Sequence, residues 1–84
     1  MNEINSNKFR IFPNPVANEL HIESRGIKFN KIEITDVDGR VVLIRSEVNQ
    51  SAMQLPVSLP DGIYIINISN EYQLFHDKIR ISKP

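Results

Sequence analysis

The apolar positions of this chain recur with a period of two and never with a helical period. Glu19-Leu20-His21-Ile22-Glu23 alternates, with Leu20 and Ile22 on one face and the polar residues on the other. Lys31-Ile32-Glu33-Ile34-Thr35 repeats the pattern. Such alternation marks a strand with one face on a core and one in water. Gly62-Ile63-Tyr64-Ile65-Ile66-Asn67-Ile68 is richer still. Tyr64, Ile66 and Ile68 share one face; Ile63 and Ile65 share the other. Four isoleucines in that run predict a central strand largely covered on both faces.

The punctuation between these runs is turn chemistry. Phe9-Arg10-Ile11-Phe12 is a short strand ended by Pro13-Asn14-Pro15, where two prolines remove two donors and suit an edge strand leaving its sheet. Val16-Ala17-Asn18 completes that loop, and Ser24-Arg25-Gly26 is a turn. Asp36-Val37-Asp38-Gly39 is a hairpin turn, with Asp36 accepting backbone N–H groups and Gly39 free to adopt positive φ. Arg40-Val41-Val42-Leu43-Ile44 returns from it, residues 46–51 read as polar loop, and Ala52-Met53-Gln54-Leu55 is a shorter strand stopped by Pro56. A turn around Asn70-Glu71 precedes the last strand, residues 72–81. In it Phe75, Ile79 and Ile81 share a face with Asp77, which predicts a bulge or a solvent-facing gap there. Leu59-Pro60-Asp61-Gly62-Ile63-Tyr64 has the spacing of a tyrosine corner, the Tyr64 hydroxyl reaching backbone near Pro60. Seven strands at this spacing predict an all-β, mostly antiparallel, immunoglobulin-like sandwich.

Eighty-four residues suffice for one small domain. Residues 1–8 are polar and read as linker; residues 9–84 form the domain. The start has neither the basic nor the apolar region of a signal peptide. Taken alone the chain suits the cytosol; taken as the tail of a longer precursor it says nothing about the head. Ten basic and ten acidic residues balance and are scattered, which argues against nucleic acid as a partner. The longest apolar runs are four residues, far short of a span, so no membrane insertion is expected.

Candidate chemistry is thin. There is no Cys, hence no thiolate nucleophile, disulfide or Cys zinc site. Asp36, Asp38 and Gly39 resemble the start of a calcium loop, but Ca²⁺ takes roughly 6–8 oxygens and no third acid is near. His21 and His76 are two ligands short of a usual zinc site. Ser, His and Asp occur without a Gly-x-Ser-x-Gly elbow, and a small sandwich offers little cleft. No catalytic, metal or cofactor site is therefore expected. Of the aromatics, Phe9, Phe12, Phe29, Tyr64 and Phe75 suit core packing or lie beside prolines, leaving Tyr72 as the exposed one. Lys78, Arg80 and Lys83 form a basic run on the last strand, serving as a solvated edge, a recognition surface, or both.

Five segments in order resemble the C-terminal sorting domain of the type IX (Por) secretion system, type A. They are Phe12-Pro13-Asn14-Pro15; Glu19-Leu20-His21-Ile22; Asp36-Val37-Asp38-Gly39-Arg40; Leu59-Pro60-Asp61-Gly62-Ile63-Tyr64; and the basic, alternating Asp77-Lys78-Ile79-Arg80-Ile81. The ending Ser82-Lys83-Pro84 departs from members that stop on a basic or apolar residue. The resemblance implies a non-catalytic signal at the end of a larger exported protein of a Gram-negative bacterium. Its partners would be a covalently linked N-terminal cargo, an outer-membrane translocon and a sortase-type cysteine endopeptidase that removes it. It would pass the periplasm and reach the cell surface or the medium. The implied sorting motif comprises Pro13, Asn14, Pro15, Asp36, Gly39, Arg40, Leu59, Gly62, Tyr64, Lys78, Arg80 and Lys83. The competing expectations are an adhesion or carbohydrate-binding module, which calls for a strip of exposed aromatics, and a structural spacer. The oligomeric state is left open.

Overall fold

The computed structural model describes residues 9–13 and 15–83. It holds seven strands: β1 (Phe9–Phe12), β2 (Glu19–Ser24), β3 (Phe29–Thr35), β4 (Val41–Gln50), β5 (Ala52–Pro56), β6 (Gly62–Ser69) and β7 (Leu74–Ile81). They form two antiparallel sheets, ordered β1-β2-β5 and β4-β3-β6-β7. In immunoglobulin terms these are A-B-E facing C′-C-F-G. The expected all-β sandwich is therefore present.

The alternating residues supply the core. Leu20 and Ile22 from β2 and Leu55 from β5 face Ile32 and Ile34 from β3 and Tyr64, Ile66 and Ile68 from β6, all buried. Aromatics join the sheets at one edge: Phe9 of β1 stacks on Phe75 of β7 at 4.6 Å between centroids, with Phe29 tilted against it at 6.3 Å. Each such side chain removed from water contributes about 1.5–3 kcal/mol before entropy is set against it.

Several expectations need correction. Of the expected loop 46–51, only Ser51 is a connection, because β4 continues to Gln50. The backbone of β3 offers pairing out to Phe29, so Lys31 pairs Ser46 and Phe29 pairs Gln50 across a register shift. Polar side chains do not prevent this on an edge strand. Asn49 takes φ 49°, which Asn tolerates, and Ser51 alone joins β4 to β5 in the other sheet. The outer face of β6 is also less covered than its isoleucines suggest. Ile63 is exposed and Ile65 only half-buried, because among the described residues nothing packs over the outside of this sheet. The last strand starts at Leu74 rather than 72, since Asn70 holds the turn. Its Oδ1 accepts the Tyr72 and Gln73 N–H groups, each at 2.8 Å. At Asp77 the β6–β7 register runs unbroken and the side chain is exposed, so the gap is present and the bulge is not.

Candidate functional site

Strand direction alternates along the chain, so the β1–β2, β3–β4 and β5–β6 connections and the end of β7 share one end of the sandwich. Hydrogen bonds tie that end together. Val16 donates its N–H to the Arg80 carbonyl at 2.7 Å and accepts from Ser82 N–H at 2.8 Å. Val57 N–H donates to the Asn18 carbonyl at 3.0 Å, and Lys83 N–H to Asp61 Oδ1 at 3.2 Å. The β3–β4 turn belongs to the same end, because Thr35 pairs Ile65, three residues past the Gly62 that begins β6. The opposite end carries the other connections, where Ser24 N–H bonds the Ser51 carbonyl and Asn70 Nδ2 bonds the Lys28 carbonyl, both at 2.8 Å.

The motif residues expected from sequence are thereby mostly gathered. Pro13 and Pro15 are exposed in the first connection. The Phe12–Pro13 peptide is cis. Asn14 lies outside the described residues. Asp36, Gly39 and Arg40 shape the hairpin turn. Gly39 has φ 87° and donates its N–H to the Asp36 carbonyl at 3.0 Å, while Asp36 N–H donates to the Arg40 carbonyl at 2.9 Å. This is a tight hairpin turn closed by a glycine at positive φ, the arrangement of a glycine bulge. Asp36 Oδ1 accepts the N–H groups of Asp38 and Arg40 at 2.9 and 3.0 Å, and Oδ2 accepts Arg40 Nε at 3.1 Å. The Arg40 backbone N–H foremost, then that of Asp38 and the guanidinium, hold the Asp36 carboxyl below its ordinary range against an opposing desolvation.

Tyr64 is buried, and its hydroxyl donates to the Pro60 carbonyl at 2.7 Å. That is the expected tyrosine corner. Leu59 packs half-buried on the core, and Gly62 lies beneath the Tyr64 ring, which a Cβ there would meet at 3.7 Å. These residues shape the gathered end from beneath rather than present it.

The basic run is split. Lys78 and Arg80 are exposed on the outer face of β7, opposite Ile65 and Ile63. Lys83 lies beyond the strand, which ends at Ile81, and is anchored to Asp61. The histidines sit in different sheets. His21 stacks on Phe12 at 5.1 Å and has Nε2 3.3 Å from Glu19 Oε1, while His76 is exposed on β7. Among the described residues no group of three His, Asp or Glu gathers to hold a metal.

Two further residues that hold the ends together carry no signal in the sequence. Val16, in the first connection, is fully buried and bridges to Ile81 in a parallel sense. A lone Val after Pro15 has no periodicity to announce it. Ser24 is buried, its hydroxyl within hydrogen-bond reach of the carbonyls of Ile27 and Ser51, with one proton to donate between them. In sequence it resembles any turn serine.

A family model described as the secretion system C-terminal sorting domain matches residues 10–82. No curated protein matches the chain.

Proposed function

The chain belongs to the family of type IX secretion system C-terminal sorting domains, and from that premise we propose that it is the non-catalytic export signal of a larger cargo protein joined ahead of β1. In this reading the domain delivers its cargo from the periplasm to the outer-membrane translocon. A sortase-type cysteine endopeptidase then removes it, and the cargo reaches the surface or the medium. The observation that carries the reading is the family match over residues 10–82, nearly the whole sandwich.

The geometry suits the task. Cargo ahead of β1 meets the sandwich at one end, while Pro13, Pro15, Asp36, Arg40, Arg80 and Lys83 cluster at or near the other. The translocon thus meets turns and cations that the cargo does not shade. Gly39, Leu59, Gly62 and Tyr64 keep those turns in place, and Lys78 extends the charged face along β7. An adhesion reading calls for a strip of exposed aromatics, whereas among the described residues Tyr72 alone is largely exposed, at 84%.

The test is a reporter with a signal peptide, fused ahead of residues 9–84 in a host with this secretion system. The reporter is expected outside the outer membrane. Retention of the intact fusion in the periplasm of a competent host overturns the reading.

A further inference from the structure

Four strands lie at sheet edges: β1 and β5 in one sheet, β4 and β7 in the other. A free edge offers unpaired backbone groups to any passing strand, and soluble proteins blunt it with brevity, proline, charge or cover. β1 has four residues and is followed by Pro13; β5 has five and ends in Pro56. β7 carries Asp77 on its inward parity and Lys78 and Arg80 outward, and Val16 covers its end with two hydrogen bonds.

Over residues 41–44, β4 is neither short, nor interrupted by proline, nor charged; the first charge comes with Arg45. It is ten residues long and opens on Val41-Val42-Leu43-Ile44, about 13 Å of apolar strand. Val41, Val42 and Ile44 are 51%, 37% and 47% exposed. Beside this run, residues 56–59 leave an open groove of about 840 Å³ with Leu59 in its wall. Among the described residues, the charged groups lining it are Arg45 and Lys83, with no carboxylate. Arg45 Nη1 meanwhile donates to the Ile44 carbonyl of its own strand at 2.9 Å. A second copy is poorly matched. Antiparallel pairing that aligns residues 41–44 of both copies end to end sets Arg40 of each opposite Arg45 of the other, and like charges directly opposite are destabilising.

We propose that the free edge of β4 at residues 41–44 is a docking site for an extended segment of a partner protein, which adds as a strand, lays apolar side chains over the groove and presents carboxylates to Arg45 and Lys83. Strand addition draws affinity from main-chain hydrogen bonds and selectivity from side chains alternating into the groove. The proposal rests on the sorting reading for its biological partner, a component of the secretion apparatus, but its binding chemistry does not.

The isotope-labelled 84-residue chain is titrated with a nine-residue peptide, Val-Thr-Val-Thr-Val flanked on each side by Asp-Glu, while amide resonances are followed. Saturable shifts at residues 41–45 are expected. Exchanging the flanks for lysines, or making Arg45→Glu, should weaken binding roughly tenfold, and added salt should narrow the difference. Ile44→Lys, at an exposed position, should abolish the shifts while the strand spectrum persists. If it unfolds instead, the two charge arms still decide. Shifts confined to the outer face of β6 and β7, equal binding of both peptides, concentration-dependent self-association through β4 without peptide binding, or no binding at all each overturn the proposal. A domain that exports its reporter yet binds no peptide overturns the groove and leaves sorting intact. One that binds at β4 but exports nothing overturns sorting and leaves the groove.

Discussion

Tyr64 ties the start of β6 to the connection before it through one short hydrogen bond to the Pro60 carbonyl. Pro60 has no N–H, so its carbonyl is the only backbone group it can offer. Tyr64→Phe keeps the ring in the core and strands that carbonyl. The expected loss is about 0.5–1.5 kcal/mol, seen as a melting temperature lower by several degrees, since 1 kcal/mol shifts a domain of this size by about 4–8 °C. An unchanged melting temperature would mean that the corner contributes nothing. Gly39 makes a different kind of demand. A Cβ there meets nothing within 4 Å, so the penalty for Gly39→Val is backbone strain at φ 87° rather than a clash. It should cost about 1–2 kcal/mol, which a urea midpoint measures. Asp36 links the same turn to pH. Its carboxyl titrates below the ordinary value in the folded state. The stability it contributes is therefore complete above the unfolded carboxylate range and is lost as pH falls through and below that range. Asp36→Asn should flatten the acid limb of the melting-temperature profile relative to the parent, and identical limbs would show the carboxylate to be unlinked.

β4 and β7 are both edges of one sheet, yet they are built in opposite ways. β7 alternates buried Phe75, Ile79 and Ile81 with exposed His76, Lys78 and Arg80, and Asp77 interrupts the buried face. Its apolar half anchors the sheet while its charged half discourages further pairing. β4 presents apolar residues to solvent instead. Lys78, Arg80 and Lys83 can thus be altered without touching the core. The triple replacement by Gln should fold with a melting temperature near the parent's. If the cations are read by the translocon, reporter export should drop several-fold. Full export by a folded triple variant would reduce those cations to a solvated edge.

At the level of the whole molecule, alternation of strand direction sorts the loops into two classes. Connections at 13–18, 36–40 and 57–61 lie with the end of β7, and those at 25–28, 51 and 70–73 lie at the end where β1 begins. An insertion therefore probes an end rather than a residue. Four Gly/Ser residues placed between Arg25 and Gly26 should leave export intact. The same insertion between Ser58 and Leu59 should lower it, with the melting temperature of each variant checked to separate export from folding. Equal export by both would break the link between recognition and the gathered end. Surface insertions of this length cost little in closure entropy, so both variants are expected to fold.

The elements themselves were legible because their causes are local. Alternation at Leu20 and Ile22, at Ile32 and Ile34, and at Tyr64, Ile66 and Ile68 follows from the two-residue pleat and needs no partner to be recognised. The Asp36–Gly39 turn and the Tyr64–Pro60 corner likewise act over three or four residues. What escaped the sequence is whatever a distant segment supplies. Ser46 and Gln50 become strand because β3 lends them backbone partners, and Val16 is buried because β7 passes beside it. Val41-Val42-Leu43-Ile44 looks, read locally, like a run destined for the core, and Ile63 and Ile65 look covered. Val41, Val42, Ile44 and Ile63 are instead exposed and Ile65 half-buried, because among the described residues no other element packs over them, and coverage depends on which of several strands becomes an edge. That choice is made by hydrogen bonding between segments tens of residues apart, and composition along a single stretch carries no record of it.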